Sequence, residues 1–304
     1  MQKETFRVVG YYPCWKPEAL HKVNYQVLTH INYAFVIPTA EGDLLPLRNP
    51  GTARTLIAQA HARGVKVLIV VGGWDYQGDL LEHTFVRATD TPEKSGRLAR
   101  KLLQLCDDFG FDGIDVDWEY PRAGQPSAAQ YEQLMSYLSG ELHNRGKLLT
   151  CAVFSGVSSG GEILPDGEAQ SRKVLESCDF VNVMAYDGGD GRDHSGFEFS
   201  QACACYWKSR QGLPGEKINL GLPFYGRPGW DTYEQIVKAD PKAWDQDSIL
   251  REGREICYNG ACTIRRKTAY ARENLGGVMI WEITQDSEDP ERSLISAIGR
   301  ELQK

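Results

Sequence analysis

The chain has 304 residues, of which 41% are hydrophobic and 25% charged, and its formal net charge is −7. This composition indicates a globular protein with a substantial core, and the length suits two ordinary domains or one α/β barrel. An acidic chain without a long run of Lys or Arg is a poor partner for nucleic acid or an anionic membrane surface. No stretch reaches the roughly 20 apolar residues that span a bilayer, so we expect no membrane partner.

The first five residues contain no apolar signal-peptide core. We therefore expect either a mature extracellular chain whose signal was removed or a cytoplasmic protein.

Eight short segments rich in bulky apolar and β-branched residues predict buried parallel strands. In chain order they are 7–12, 30–36, 65–71, 112–118, 148–154, 180–185, 218–222 and 277–281. Helical patterns lie between them, near 52–62, 92–109, 128–144, 201–208, 233–238, 268–274 and 293–302. The clearest of these has Thr91 as its N-cap and Pro92 at its first position, followed by apolar residues every three or four positions.

A strand followed by helical or connecting sequence, repeated eight times, predicts an α/β fold, the (β/α)8 TIM barrel. An open doubly wound sheet would need a glycine-rich phosphate turn after the first strand, but that strand ends in Tyr11-Tyr12-Pro13. Neither of the common nucleotide-binding glycine motifs occurs, which disfavours a nucleotide enzyme. We predict a single domain over residues 1–304, with 228–264 as an excursion between the seventh strand and the last helix pair.

The fourth predicted strand carries acids at alternate positions, Asp115, Asp117 and Glu119. Side chains alternate across a strand, so these three share one face, while Ile114 and Val116 share the apolar face that must contact the helices. The acids then point into the barrel, near the strand end where active sites of this fold lie. Such close carboxylates cannot all ionise near neutral pH. Acid–base catalysis is the leading interpretation, with Mg²⁺ or Ca²⁺ binding and a structural network as alternatives.

The histidines argue against a metal, because only His194, on a Gly/Asp loop, lies near an acidic strand end. We therefore predict no metal and no cofactor.

The segment Cys257-Tyr-Asn-Gly-Ala-Cys262 contains Asn259-Gly260, the dipeptide most typical of a two-residue hairpin turn. In that hairpin Cys257 and Cys262 face each other on neighbouring strands, close enough for a bridge. The pair is a disulfide candidate, conditional on an oxidising compartment.

The segment Asp112-Gly-Ile-Asp115-Val-Asp117-Trp-Glu119 resembles the D-x-x-D-x-D-x-E signature of family 18 glycoside hydrolases, the chitinases and their relatives. Shorter segments at other strand ends resemble the same family: Gly10-Tyr11-Tyr12, His30-Ile-Asn-Tyr-Ala-Phe35, Val70-Val-Gly72-Gly73-Trp74, Met184-Ala-Tyr186-Asp187, Pro223-Phe-Tyr225-Gly-Arg227 and Gly277-Val-Met-Ile-Trp281. The resemblance covers nearly the whole chain. It implies a chitinase that hydrolyses β-1,4-linked N-acetylglucosamine polymers or oligomers with retention, using the sugar's own acetamido oxygen as nucleophile.

The resemblance also implies residue roles. Glu119 would be the general acid and then the base, Asp117 would hold the acetamido N–H, and Asp115 would share a proton with Asp117. Tyr186 would donate a hydrogen bond to the acetamido oxygen. The substrate-binding residues it implies are Trp281, Asp187, Met184, Trp74, Tyr120, Tyr225, Arg227, Tyr11, Phe35 and Gly73. By strand parity, Asp112 is expected to support the strand end and Trp118 to lie in the core.

Two departures from the family pattern lead to expectations. Val70 stands where relatives commonly have a serine, so Asp115 is expected to have few hydrogen-bond partners, with Tyr11 foremost. Arg227 and Gly277 are only 50 positions apart, too few for the α+β module that many chitinases insert there. We therefore expect a shallow, open groove and endo-type cleavage with low processivity.

Other functions on the same barrel are an endo-β-N-acetylglucosaminidase, a cell-wall hydrolase and a non-catalytic chitin-binding lectin. Glu119, which such lectins typically lack, argues against the last. We expect a monomer whose partner is chitin or chito-oligosaccharide, and a polymeric substrate favours secretion.

Overall fold

The computed structural model describes residues 6–304, and its central feature is a closed barrel of eight parallel strands. They are β1 (Arg7–Pro13), β2 (His30–Val36), β3 (Lys66–Gly73), β4 (Gly113–Trp118), β5 (Leu148–Val153), β6 (Phe180–Val183), β7 (Ile218–Pro223) and β8 (Gly277–Trp281). Each strand pairs with the next, and β8 closes on β1. The predicted (β/α)8 TIM barrel is confirmed, with strand ends displaced by at most two residues. The signal-peptide expectation concerns residues 1–5, outside the described part.

Helices cover the outside of the barrel. They are α1 (Pro50–His61), α2 (Leu81–Ala88), α3 (Pro92–Phe109), α4 (Pro126–His143), α5 (Arg172–Ser177), α6 (Phe197–Cys205), α7 (Tyr233–Ala239), α8 (Ala261–Asn274) and α9 (Leu294–Leu302). The Thr91 side chain accepts a hydrogen bond from the Lys94 backbone N–H, which confirms the predicted start of α3. That helix ends at Gly110 in the left-handed conformation. None of the described helices is long and apolar enough to cross a membrane.

Strand parity is as predicted on β4. Trp118 points outward, is 1% exposed, and stacks on Phe85 with ring centroids 4.7 Å apart. Asp112 supports the start of the strand, because its Oδ2 accepts hydrogen bonds from the Val67 backbone N–H and from His61. Inside the barrel a second, smaller apolar cluster includes Val70. The acids of β4 therefore project into the barrel.

The predicted hairpin at Asn259-Gly260 and its Cys257–Cys262 disulfide are wrong. Both thiols are free, with Cys257 buried at the end of a strand and Cys262 exposed on α8. Gly260 has an ordinary φ of −77° as the N-cap of α8. The position requires glycine for a different reason, since a Cβ there would lie 2.1 Å from the Gln246 carbonyl oxygen.

Residues 228–264 do contain a hairpin, but it lies earlier in the chain. It pairs Ser248–Arg251 with Arg254–Cys257 and turns at Glu252-Gly253, whose φ values are 50° and 76°. Two consecutive positive φ angles are what the common two-residue hairpin turn requires. The rest of the segment holds α7, a short 3₁₀ turn at Ala243–Asp245 and the start of α8.

Candidate active site

A cleft of about 1350 Å³ opens at the carboxyl ends of the barrel strands, and every strand or its following loop contributes to the lining. Of the site residues predicted from the sequence, those that line the cleft are Tyr11, Phe35, Trp74, Asp117, Glu119, Tyr120, Met184, Tyr186, Asp187, Tyr225, Arg227 and Trp281. The two others lie beneath this surface. Asp115 is fully buried, and Gly73 lies against the Phe35 ring, which a Cβ would approach to 3.0 Å.

The three acids of β4 form a column that rises toward the cleft. Asp115 is 0% exposed and Asp117 4% exposed, while Glu119 is half-buried at the mouth. The neighbouring β3 places Gly72 opposite Asp117, and a Cβ at Gly72 would lie 2.0 Å from the Asp117 carbonyl oxygen. A glycine is therefore needed for the two strands to approach this closely.

Asp115 is held by donors from three strands. Tyr11 donates its hydroxyl to Oδ2 at 2.6 Å, Asn182 donates its amide to Oδ1 at 3.2 Å, and Thr150 donates its hydroxyl to Oδ1. Burial raises the pKa of Asp115 to about 6, against the lowering effect of these hydrogen bonds. The expectation that Val70 leaves Asp115 with little beyond Tyr11 is wrong, because β5 and β6 supply the additional donors.

Asp117 and Glu119 both retain protons more strongly than ordinary carboxyl groups. Burial, followed by the charges of Glu119 and Asp115, raises the pKa of Asp117 well above its usual value. Its Oδ1 is buried and has no hydrogen-bond partner among the described residues. Burial also raises the pKa of Glu119 to about 7, although the Tyr120 hydroxyl favours the ionised form. The arrangement can offer a proton at the cleft surface and accept a hydrogen bond beneath it.

The segment after β6 brings two polar side chains to the cleft. Among the described residues, the Tyr186 hydroxyl has only a long contact with Met279 Sδ, at 3.9 Å, which leaves its proton available to a ligand. The next residue, Asp187, accepts a hydrogen bond from the Tyr225 hydroxyl at 2.7 Å. Arg227 Nη2 lies 2.6 Å from Asp190 on the same loop.

Aromatic rings form the floor and rim of the cleft. Trp281 stacks on Phe35 with centroids 5.8 Å apart, and the Tyr11 ring contacts it edge-on at 5.6 Å. Trp74, 51% exposed, lies 6.3 Å from the Tyr120 ring. Flat apolar faces of this kind suit the C–H-rich faces of sugar rings.

Sequence reasoning missed four aromatic residues of the cleft: Trp15, Tyr76, Phe154 and Trp230. Trp15 stacks on Phe35 at 6.1 Å, and Trp230 stacks on Tyr225 at 5.2 Å. Phe154 lies at the end of a predicted strand, and Tyr76 lies in the segment that follows β3. Trp15 follows the end of β1 by two residues, and this position at a strand end was the available signal; Trp230 follows the end of β7 by seven residues, too far for the same signal. Among residues 6–304, no three His, Cys, Asp or Glu side chains converge in a way that could hold a metal ion.

Comparison with known proteins identifies the family. Residues 7–286 match the model of "Glycosyl hydrolases family 18". The chain belongs to glycosyl hydrolase family 18. The resemblance inferred from the acidic strand is therefore confirmed.

Other members of family 18 resemble the chain over most of its length. The GH18 chitinase ChiB from the chitin utilization locus of Flavobacterium johnsoniae is 29% identical, with a TM-score of 0.84 over 98% of this chain and 94% of that one. Chitinase B of Serratia marcescens is 22% identical over 90% of this chain and 76% of that protein. A chitinase-like agglutinin of Robinia pseudoacacia, 22% identical, shares the fold with a TM-score of 0.81 over 96% of this chain and 98% of that one. The chain spans only 57% to 66% of three further curated relatives.

Proposed function

We propose that this protein is a chitinase that hydrolyses β-1,4-linked N-acetylglucosamine chains with retention, with Glu119 as acid and base. The observation that carries the proposal is the acidic column of β4. Its uppermost carboxyl, Glu119, has a pKa of about 7 at the cleft surface. Directly below it in the column, Asp117 has a buried oxygen without a hydrogen-bond partner in the described part of the chain. The chitinases among its relatives support the same activity.

The proposed reaction begins with proton transfer from Glu119 to the glycosidic oxygen, which becomes the leaving group. The acetamido carbonyl oxygen of the sugar on the other side of the scissile bond attacks the anomeric carbon. The acetamido N–H donates to the free oxygen of Asp117. The proton that Asp117 retains at rest passes to Asp115, and the Asp117 carboxylate then stabilises the positive charge developing on the ring that forms. The Glu119 carboxylate then removes a proton from the water that opens this ring.

Other cleft residues position the attacking group in this mechanism. The free hydroxyl proton of Tyr186 would hydrogen-bond the acetamido oxygen and fix its line of attack. The Trp281 ring would support the apolar face of the same sugar. Asp115, held by its three donors, would control how tightly Asp117 keeps its proton. No step requires a cofactor.

The first test replaces the proposed acid. Glu119→Gln removes the transferable proton while keeping the side chain's size, so kcat on chitohexaose should fall about 10²- to 10⁴-fold. Binding of chitohexaose, measured by calorimetry, should change little. Glu162→Gln, on an exposed loop residue that does not line the cleft, is the matched control and should retain full activity. Normal turnover by the Glu119 variant would refute the assigned role.

A second substrate, a high-mannose glycopeptide, distinguishes a chitinase from an endo-β-N-acetylglucosaminidase and from a lectin. The wild-type protein should release short oligosaccharides from chitohexaose and leave a high-mannose glycopeptide intact. Cleavage of the glycopeptide alone would indicate an endo-β-N-acetylglucosaminidase. Binding to chitin without cleavage of either substrate would indicate a lectin, a role that the shared fold of the agglutinin brings into consideration.

We also propose that the enzyme acts outside the cell, because its polymeric substrate does not enter cells. Activity found in the cell pellet of the native organism, and absent from its medium, would contradict this.

A further inference from the structure

Lys267 on α8 is the one lysine among residues 6–304 that is completely buried. Its ammonium donates to three oxygens: Ser195 Oγ at 2.8 Å, the Ser195 carbonyl at 2.7 Å and Asn259 Oδ1 at 2.6 Å. Every proton of the ammonium group is thus used. Lys267 therefore binds the loop after β6, at Ser195, on the side of the loop away from the cleft.

The network continues from Lys267 to the cleft. Ser195 Oγ donates to the carbonyl oxygen of Ala185, at 2.8 Å, immediately before Tyr186. The adjacent His194 accepts a hydrogen bond from the Asp187 backbone N–H at its Nδ1, at 3.2 Å. Its other ring nitrogen lies 3.3 Å from the Tyr225 carbonyl oxygen and donates to it. The segment that carries Tyr186 and Asp187 is therefore fixed at one end by Ser195, which Lys267 binds, and at the other by His194, the residue adjacent to Ser195.

We infer that Lys267 is a positioning residue for catalysis: through Ser195 and the adjacent His194, it fixes the segment that presents the Tyr186 hydroxyl to the substrate. This inference rests on the proposed function, in which that hydroxyl orients the acetamido group. Lys267 itself touches no substrate, because it does not line the cleft.

The energetic cost of Lys267 supports a specific role. An uncompensated buried charge is expensive, and an apolar side chain of similar volume often fills such a position at no cost in stability. Burial lowers the pKa of Lys267 to about 7, while the charges of Cys203, Asp247 and Glu198 raise it. Its three acceptors favour the charged form, since a neutral amine has one donor fewer. The network is therefore complete only when Lys267 is protonated.

A double-mutant cycle tests the inference. Lys267→Met keeps the aliphatic stem and removes the donors, and it should lower kcat on chitohexaose at least about tenfold in the wild-type background, since small misplacements of reacting groups carry large costs. In the Tyr186→Phe background the same substitution should lower kcat less than about threefold, because the hydroxyl it positions is already absent. Equal losses in the two backgrounds would show a merely structural role and overturn the inference. So would an unchanged kcat for Lys267→Met.

Two further variants control for the loss of a positive charge on α8 and for the failure of Lys267→Met to fold. Arg265→Met removes a cation two residues earlier on α8, where the side chain pairs with Glu301, and should leave kcat within about twofold. If Lys267→Met does not fold, Ser195→Ala removes only the hydroxyl that links Lys267 to Ala185. It should show the same dependence on Tyr186.

A readout that needs no turnover separates this inference from the proposed function. Hydrogen–deuterium exchange of peptides covering residues 184–195 should be faster in Lys267→Met than in Arg265→Met, because the loop loses its anchor. Unchanged exchange there would overturn the inference even if the enzyme proves to be a chitinase. Failure of the proposed function would show in the wild-type protein, before any variant is made.

Discussion

Asp115, Asp117 and Glu119 lie on one face of one strand, yet each has a different environment. Asp115 has three donors, and its pKa is raised only to about 6. Asp117 is the least compensated, with a buried oxygen that accepts no hydrogen bond from any described residue. Glu119 reaches the cleft surface and has the Tyr120 hydroxyl beside it. Such separation of acidities by environment is how one set of carboxyl groups can divide acid and base roles.

Tyr120 should influence the alkaline limit of activity through its effect on the pKa of Glu119. Its hydroxyl favours the ionised form of Glu119, so it holds the pKa of that acid lower than burial alone would. Removing it in Tyr120→Phe should raise the pKa of Glu119 and keep the acid protonated to higher pH. The alkaline limb of the kcat/KM profile on chitohexaose should then move upward by about half a unit or more.

The control for this prediction is another tyrosine of the cleft. Tyr76→Phe also removes a phenol from the lining, but the Tyr76 hydroxyl bonds only its neighbour Gln77 among the described residues, at 3.4 Å. Its profile should keep the wild-type alkaline limb. A downward shift in Tyr120→Phe, or the same shift in both variants, would contradict the assignment of that limb to Glu119.

At the scale of secondary-structure elements, the site depends on the close approach of β3 and β4. Gly72→Ala should place a Cβ 2.0 Å from the Asp117 carbonyl oxygen, at a residue whose φ is +118°. The clash cannot be relieved by a side-chain rotation, because the contacted atom belongs to the backbone. We expect a loss of about 3 kcal/mol or more in the free energy of unfolding, measured by denaturant titration, together with loss of activity.

Gly78→Ala is the matched control for the element-scale prediction. Gly78 also has a positive φ, +90°, but a Cβ there would meet nothing within 4 Å. This variant should lose only the conformational advantage of glycine, about 1 to 2 kcal/mol. If Gly72→Ala and Gly78→Ala lowered the free energy of unfolding equally, the contact between a Cβ at position 72 and the Asp117 carbonyl oxygen would have no cost of its own, and the prediction would be wrong.

The sequence was most informative where burial acts on both faces of an element. The barrel strands are nearly continuous apolar runs, so all eight could be located within two residues. Helices α2 and α5 were missed, because eight and six residues barely establish a helical period and neither has the capping box that marks the start of the equally short α7. The Asn259-Gly260 dipeptide misled because its residues serve long-range contacts: Asn259 bonds Ser195 and Lys267, and Gly260 fits against Gln246.

Within the site, the acids of β4 could be predicted from the sequence, whereas the contacts between strands and the tryptophans on loops could not. The acids share one strand, so their common face followed from alternation alone. Thr150 and Asn182 contact Asp115 from β5 and β6, and a contact between strands depends on barrel register, which a single sequence does not reveal. Trp15 and Trp230 lie on loops, where no periodicity constrains the direction of a side chain.

At the scale of the whole molecule, the segment between β7 and β8 forms only a small part of the cleft wall, since of residues 224–276 only Tyr225, Arg227 and Trp230 line it. Residues 228–264 hold one short helix, a short turn and a small hairpin in the described structure. The tryptophans of the rim are correspondingly exposed, Trp74 by 51% and Trp230 by 57%. Under the proposed function, a polymer bound across this cleft would be held mainly from one side, so that an interior segment could enter without threading.

This open shape predicts endo-type cleavage with low processivity. A chain that enters sideways is cut at internal bonds, and weak enclosure lets the products dissociate before the next cut. Early products from long, soluble chitin derivatives should therefore include trimers and longer oligomers, and the viscosity of the polymer should fall before much reducing sugar appears. Chromatography of the first products checks this. If disaccharide were the sole product from the earliest time points, the enzyme would be holding its substrate through successive cuts. The prediction of endo-type cleavage with low processivity would then be wrong.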